Sequence, residues 1–378
     1  MIDPVALARD LVRRPSVTPA DAGAMDIVEK SLAAIGFRCR RMRFGDIENL
    51  YARKGEARPN LCFAGHTDVV PPGDIAAWMR DPFSGEIAEG ELHGRGAADM
   101  KSAIAAFIAA AARAREVPGS LSLLITGDEE GEAEHGTKAV VAALAAEGEA
   151  VDHCIVGEPT SVSRLGDMVK IGRRGSLNAE IVVRGMQGHV AYPDRAANPT
   201  PTLVRFLSAV QARRLDDGYA GFQPSNLEIT SIDIGNPATN VIPAEARARL
   251  NIRFNPTHSG AGLAAWLKSE AEAAGVGFRG EVRLTPRISG EAFLTAPGDF
   301  TALVVRVVAA ETGVEPELST SGGTSDARFI RALCPVVEFG LVGQTMHKID
   351  ERASVADIEA LSRVYERLIA AYFVSTSG

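Results

Sequence analysis

Two histidines and a set of carboxylates stand just beyond apolar, strand-like runs. After NLCFAG come His66, Thr67 and Asp68; after SLSLLITG come Asp128, Glu129 and Glu130. After DHCIVG comes Glu158, and after CPVVEFGL, across a short loop, comes His347. Asp99 closes the loop GRGAAD where the helix-like MKSAIAAF begins. Open α/β sheets bind ligands at the carboxyl ends of their strands. Imidazole and carboxylate together suit zinc, which takes mixed N/O shells and keeps one position open when it is catalytic. Two histidines and three carboxylates suffice for two ions if one carboxylate bridges them. His66, Asp99, Glu158, His347 and one of Glu129 and Glu130 make that set. Adjacent side chains diverge, so the other glutamate is free to face the water as a general base. Asp68, two residues past His66, is placed to accept from the second ring nitrogen. Singly, each residue has a plainer reading: Asp99 as a helix N-cap, the glutamate pair as a solvated helix start. Their conjunction at successive strand ends points to a metal centre.

The elements that must hold these residues follow from the pattern. Helical spacing marks DPVALARDLVRR, AGAMDIVEKSLAAIGF, KSAIAAFIAAAARAR and GTKAVVAALAAEG, alternating with the strands ENLYAR, NLCFAG, SLSLLITG and DHCIVG. Such alternation predicts an α/β fold with a mostly parallel sheet covered by helices. From about Ser176 the style changes to β-α-β-β-α-β: SLNAEIVVRG, PTPTLVRFLSAVQARRL, LEITSIDIG, ARARLNIRF, GLAAWLKSEAEAAG and VGFRGEVRLT. In ARARLNIRF the apolar residues fall at 246, 248, 250, 252 and 254, a period-2 strand with one buried face. This order predicts an inserted ferredoxin-like α+β module. After Gly290 the first style returns, ending in a helix whose start carries Ser354 and Asp357. The expected organisation is a discontinuous domain, 1–174 plus 292–378, with a module at 175–291 inserted into it.

Composition narrows the function classes. The 378 residues suggest two domains, and 46% hydrophobic with 23% charged residues is an ordinary globular balance. A net charge of -8 without any block of Lys and Arg argues against nucleic acid and anionic membranes as partners. The start, MIDPVALARD, lacks the apolar core of a signal peptide. The longest apolar run, Ala103 to Ala112, is half the roughly 20 residues of a membrane span and reads as a buried helix. Cys39, Cys62, Cys154 and Cys334 are scattered without a C-x-x-C, which predicts reduced core cysteines and a cytoplasmic location. His93, His135, His153 and His258 lack strand-end placement and read as structural or surface residues. His189, in the Gly-rich turn GMQGHVAYP of the inserted module, is placed to reach into a neighbouring active site.

The segments GHTDVVPPGD, Trp78 with DPFSG, GRGAADMKSAIAA, TGDEEG, VGEPTS and MHKIDE, in this order, resemble the di-zinc aminoacylase and carboxypeptidase family. The resemblance implies a zinc-peptidase-like catalytic domain, with His66, Asp99 and Glu158 on one ion and Asp99, Glu130 and His347 on the other. It further implies Glu129 as general acid and base, Asp68 as the partner of His66, and a cis peptide after Asp99. The cofactor implied is two zinc ions per subunit, with cobalt able to substitute. The inserted module resembles a dimerisation domain, so a homodimer is expected, with His189 helping to bind the oxyanion in the partner's site. KIGRRGSL, VRGMQGHVAYP, NPATNVIP and STSGGTSDARF resemble the branch that takes small N-succinyl amino-acid substrates. Relatives that remove an acetyl group, or act as aminoacylases, would share every ligand. Arg173 and Arg174 are the cations suited to a succinyl carboxylate, Arg173 being favoured. Ser176, Asn240, Gly323 and Thr324 are expected to line the same pocket. Where some relatives carry an asparagine near the last ligand, this chain has Gly343 in LVGQTMHK.

Overall fold

A run that is buried at every position, Asn60–His66, forms the middle of an eight-stranded sheet in a computed structural model that describes residues 2–114 and 116–375. The strand order is Arg38–Phe44, Ile47–Lys54, Ser120–Thr126, Asn60–His66, His153–Val156, Val336–Glu338, Met168–Lys170 and Glu317–Ser319. The central four strands are parallel, as the βαβ alternation requires. The sheet as a whole is mixed, with four of its seven pairings parallel and three antiparallel. Arg38–Phe44 and Ile47–Lys54 form an antiparallel hairpin, and Ile47–Lys54 runs antiparallel to Ser120–Thr126. Val336–Glu338 meets Met168–Lys170 in an antiparallel bridge. The edge strand RCRRMRF escapes a pattern reading because its arginines mask the period. Arg40 pairs with Glu147, and Arg41 with Asp26 and Glu29. Charged residues on an edge also discourage pairing with another chain.

The cysteines are free thiols, three buried and Cys39 partly so. Ser102–Arg113 is a helix buried from Ser102 to Ala111, packed against the long last helix Val355–Ser375. Its alanines let both neighbours approach closely. Phe107 stacks on Phe63 of the sheet with ring centroids 4.4 Å apart, and Tyr365 meets Phe63 edge-on at 5.5 Å. An aromatic pair of this kind adds about 0.5–1.5 kcal/mol beyond its buried area. The helix that carries Asp99 at its entrance is therefore fixed from both sides. Among the described residues no helix is long and apolar enough to cross a membrane.

Two compact units emerge: Met1–Ile171 with Thr295–Ser319 and Ser325–Gly378, and Gly172–Leu294 with Thr320–Thr324. The second unit holds an antiparallel sheet in the order Asn226–Asp233, Glu245–Phe254, Gly175–Arg184, Glu281–Gly290. Helices Thr200–Ala212 and Gly260–Gly275 share one core with it. Ala246, Ala248, Leu250, Ile252 and Phe254 are all buried, so the period-2 strand turns its apolar face to those helices. Chain order and strand order together are those of the β-α-β-β-α-β split unit.

Candidate metal centre

The strand ends of the first unit gather the side chains. His66 is the last residue of its strand, and Glu158 lies two residues past the neighbouring parallel strand, whose Val156 pairs with Ala64. Asp99 comes from the irregular turn Ala97–Lys101, with φ -125° and ψ 96°, and the Asp99–Met100 peptide is cis. Met100 packs between the two strand ends. A Cβ on Gly65 would stand 2.5 Å from its methyl, and one on Gly157 would stand 2.7 Å away. The glycine before His66 and the glycine before Glu158 thus leave the room that seats the residue after Asp99. Glu129 and Glu130 follow the strand Ser120–Thr126. His347 sits in a loop after Val336–Glu338 with φ +61°.

The donor atoms form two triads sharing Asp99. His66 Nε2 lies 3.2 Å from Asp99 Oδ1 and 3.8 Å from Glu158 Oε1. His347 Nε2 lies 3.3 Å from Asp99 Oδ2 and 2.8 Å from Glu130 Oε1. In a tetrahedral shell with bonds of about 2.0–2.1 Å, neighbouring donors stand about 3.3–3.4 Å apart. His66, Asp99 and Glu158 form one group able to hold a metal, and Asp99, Glu130 and His347 another. His66, Glu129 and Glu130 also converge. The two carboxylate oxygens of Asp99 face different imidazoles, the arrangement a bridging ligand requires. The mixed N/O set, with two histidines and no thiolate, fits zinc.

The imidazoles and carboxylates of the site shift one another's protonation. Burial alone would lower the pKa of His66, but Asp99, Glu158 and Asp68 hold it well above its ordinary value. Hydrogen bonds to Asp99 and Glu130 carry His347 up to about 10. Burial would raise Asp99; its bonds to the two imidazoles instead hold it below the ordinary carboxylate range. Glu129 makes no such bond to either imidazole. Burial, then the charges of Glu158, Asp326 and Glu130, push its carboxyl well above the usual range, against the opposing pull of His66.

Asp68 departs from its expected geometry. His66 Nδ1 lies 2.9 Å from the main-chain O of Asp68, while the Asp68 carboxylate stands 3.6 Å away. That carboxylate accepts the main-chain N–H groups of Glu129 and Glu130 at 3.2 and 3.0 Å and the Thr18 hydroxyl at 2.7 Å. The main-chain carbonyl of Asp68 thus meets the ring, and its side chain holds the Glu129–Glu130 turn. Burial raises the Asp68 pKa to about 6 despite these donors.

The other singled-out residues belong to the second unit. His189 is exposed, in a two-residue strand paired with Val241–Ile242, and its Nδ1 accepts the Ala191 N–H at 3.1 Å. Asn240 accepts the Val190 N–H at 3.1 Å through its main-chain O. Arg173 is buried, with Nη1 donating to the main-chain O of Gly323 at 3.2 Å and of Ser321 at 3.4 Å. Arg174 donates to Asn226, and the Ser176 hydroxyl accepts from Asn251. Gly323 and Thr324 lie in the segment of this unit that carries Arg173's acceptors.

A pattern reading missed Arg95 and Glu351, a buried pair with Nη1 and Oε2 2.6 Å apart. The available signal was a charge between two glycines in GRG and an acid four residues past His347; neither belongs in a tight loop unless it is paired.

The sequence profile of peptidase family M20/M25/M40 matches residues 62–371. The chain belongs to that family. It is 69% identical over 374 residues to succinyl-diaminopimelate desuccinylase of Caulobacter vibrioides, covering 99% of this chain and 97% of that protein. It is 68% identical over 375 residues to the desuccinylase of Phenylobacterium zucineum, covering 98% and 99%. In fold it is similar to an M20-family metallo-carboxypeptidase of Sulfolobus solfataricus, with a TM-score of 0.83 at 18% identity over 99% of this chain and 100% of that one. Human carnosine dipeptidase 1 has the same fold at a TM-score of 0.75 and 17% identity, over 98% and 96% of the two chains. Peptidases with different substrates thus share the M20 fold, so the fold leaves the acyl group undecided.

Proposed function

We propose that this M20-family chain hydrolyses the amide of N-succinyl-L,L-2,6-diaminopimelate to succinate and L,L-diaminopimelate, a step of diaminopimelate and lysine biosynthesis. The observation that carries the chemistry is the pair of triads meeting at Asp99, with Glu129 beside them and bonded to neither histidine. The acyl group rests on the 69% identity to a desuccinylase. His66, Asp99 and Glu158 would hold one zinc ion and Asp99, Glu130 and His347 the other, with cobalt a workable substitute. When bound, the two ions supply Lewis acidity to the amide carbonyl and lower the pKa of water, to about 7 in zinc enzymes.

The remaining steps fall to side chains. Glu129 takes the proton of the attacking water on its carboxylate and returns it to the departing amine nitrogen. Asp68 fixes the turn from which Glu129 acts. Residues 1–174 and 292–378 form the catalytic domain, and 175–291 form a dimerisation domain in a cytoplasmic homodimer. His189 of the partner subunit donates to the oxyanion. Arg173 recognises a substrate carboxylate, with Ser176, Asn240, Gly323 and Thr324 lining the same pocket. These second-unit roles are supported by the sequence motifs the chain shares with its family.

The test is amine release by zinc-loaded protein, with the N-succinyl substrate and N-acetylornithine side by side. Strong preference for the succinylated amide is expected. Preference for the acetylated one would keep the metal chemistry and overturn the substrate.

A further inference from the structure

Glu351 lies four residues past His347, and its side chain is wholly buried. Its Oε1 accepts three main-chain N–H groups from one turn, those of Gly96 at 3.1 Å, Ala98 at 3.0 Å and Asp99 at 3.1 Å. Its Oε2 accepts from Arg95 Nη1 at 2.6 Å, and the Arg95 guanidinium lies over Trp78, 5.3 Å from the ring centroid. The main-chain O of Glu351 accepts the Gly94 N–H at 2.8 Å. Just beyond, Arg352–Ser354 pairs with Glu91–His93, Arg352 opposite His93. The ladder ends there. From that point one chain runs on to Asp99 and the other runs back to His347, and the Glu351 carboxylate joins the two. His347 and Asp350 both lie in the left-handed region, at φ +61° and +58°, a conformation that non-glycine residues keep only when their surroundings enforce it.

We propose that Glu351 is a positioning residue that sets the separation between Asp99 and His347, and so governs the ion held by Asp99, Glu130 and His347. This rests on reading the two triads as a two-zinc centre. The other ion depends on Glu351 less, because His66 and Glu158 are set by adjacent strands that Glu351 does not touch. Three N–H dipoles and a guanidinium converge on the carboxylate, and an amide in its place would turn an NH₂ toward Arg95. Groups that orient metal ligands typically account for about 10–100-fold in metal affinity.

The experiment is a stepwise titration of chelator-stripped wild type and E351Q with Zn²⁺, and separately with Co²⁺. Calorimetry and cobalt absorption resolve the two steps, and the Tm of each metal-free protein is recorded. Wild type should take two equivalents. E351Q should weaken the second equivalent about 10–100-fold and the first distinctly less, since the first shares only Asp99 with the segment Glu351 holds. If E351Q is insoluble, R95M serves: it removes the partner of Oε2, keeps the three N–H contacts, and should weaken the second step less. An unchanged second step in either folded variant overturns the role. Equal weakening of both steps with a lowered metal-free Tm would make Glu351 a structural support only. A wild type that takes one equivalent would instead sink the two-ion reading, and this inference with it.

Discussion

The two triads share Asp99 and little else. Around His66 the donors are set by parallel strand ends, with side-chain exposures of 2% for His66 and 11% for Glu158. Around His347 they come from a loop and a turn, and the His347 side chain is 48% exposed. Strands packed on both faces open only with the core, whereas loops held by a few contacts open locally. The difference assigns the ions unequal standing: one belongs to the sheet, the other to a loop that must be clamped in place.

The largest expected effect tests whether the spare glutamate lies outside both triads. Glu129→Ala should cut kcat by about 10²–10⁴-fold while both equivalents of zinc remain. Normal turnover would remove Glu129 from the chemistry, and loss of one ion would make it a ligand in place of Glu130.

Next comes a direct contrast of the histidines. His347→Ala should abolish the second binding step, leave the first, and destabilise the metal-free protein less than His66→Ala does, because its ion pairs are half exposed. His66→Ala should damage the first step and cost the metal-free protein about 3–5 kcal/mol, because buried Asp99 and Glu158 lose their counter-charge. Metal counting and urea unfolding separate these outcomes. Equal loss from both variants would erase the distinction between the triads.

The smallest effect is a pH dependence. The His347 pKa is raised to about 10 in the metal-free protein by its bonds to Asp99 and Glu130. The stabilisation this protonated ring gives that form is therefore complete below its unfolded value, about 6.5, and is lost as pH rises through about 10. A metal ion must displace the same proton. The second-step affinity should accordingly rise about tenfold per pH unit between roughly pH 7 and 9. A second step that is flat across this range would show that metal binding displaces no proton from His347 there, and would overturn the raised pKa.

The candidate ligands were legible because chemistry-bearing residues followed apolar runs, and burial then decides where strand ends lie. The inserted module was legible because positions 246 to 254 alternate cleanly and bury on one face. What stayed hidden depends on partners far apart in the chain. Arg95 and Glu351 are 256 residues apart, and no local pattern links them. The same holds for Met100 between Gly65 and Gly157, and for Asp68, whose carboxylate meets a turn 61 residues on rather than the ring two residues back. The Arg38–Phe44 edge strand was hidden by its arginines, whose carboxylate partners Asp26, Glu29 and Glu147 lie in other segments.

Diffraction from zinc-soaked crystals at the zinc absorption edge tests the central claim most directly. Two anomalous peaks about 3.5–4 Å apart, as in other two-metal sites, should flank Asp99, with Glu130 on the peak beside His347 and Glu129 on neither. A single peak, or Glu129 bound to metal in place of Glu130, would contradict it.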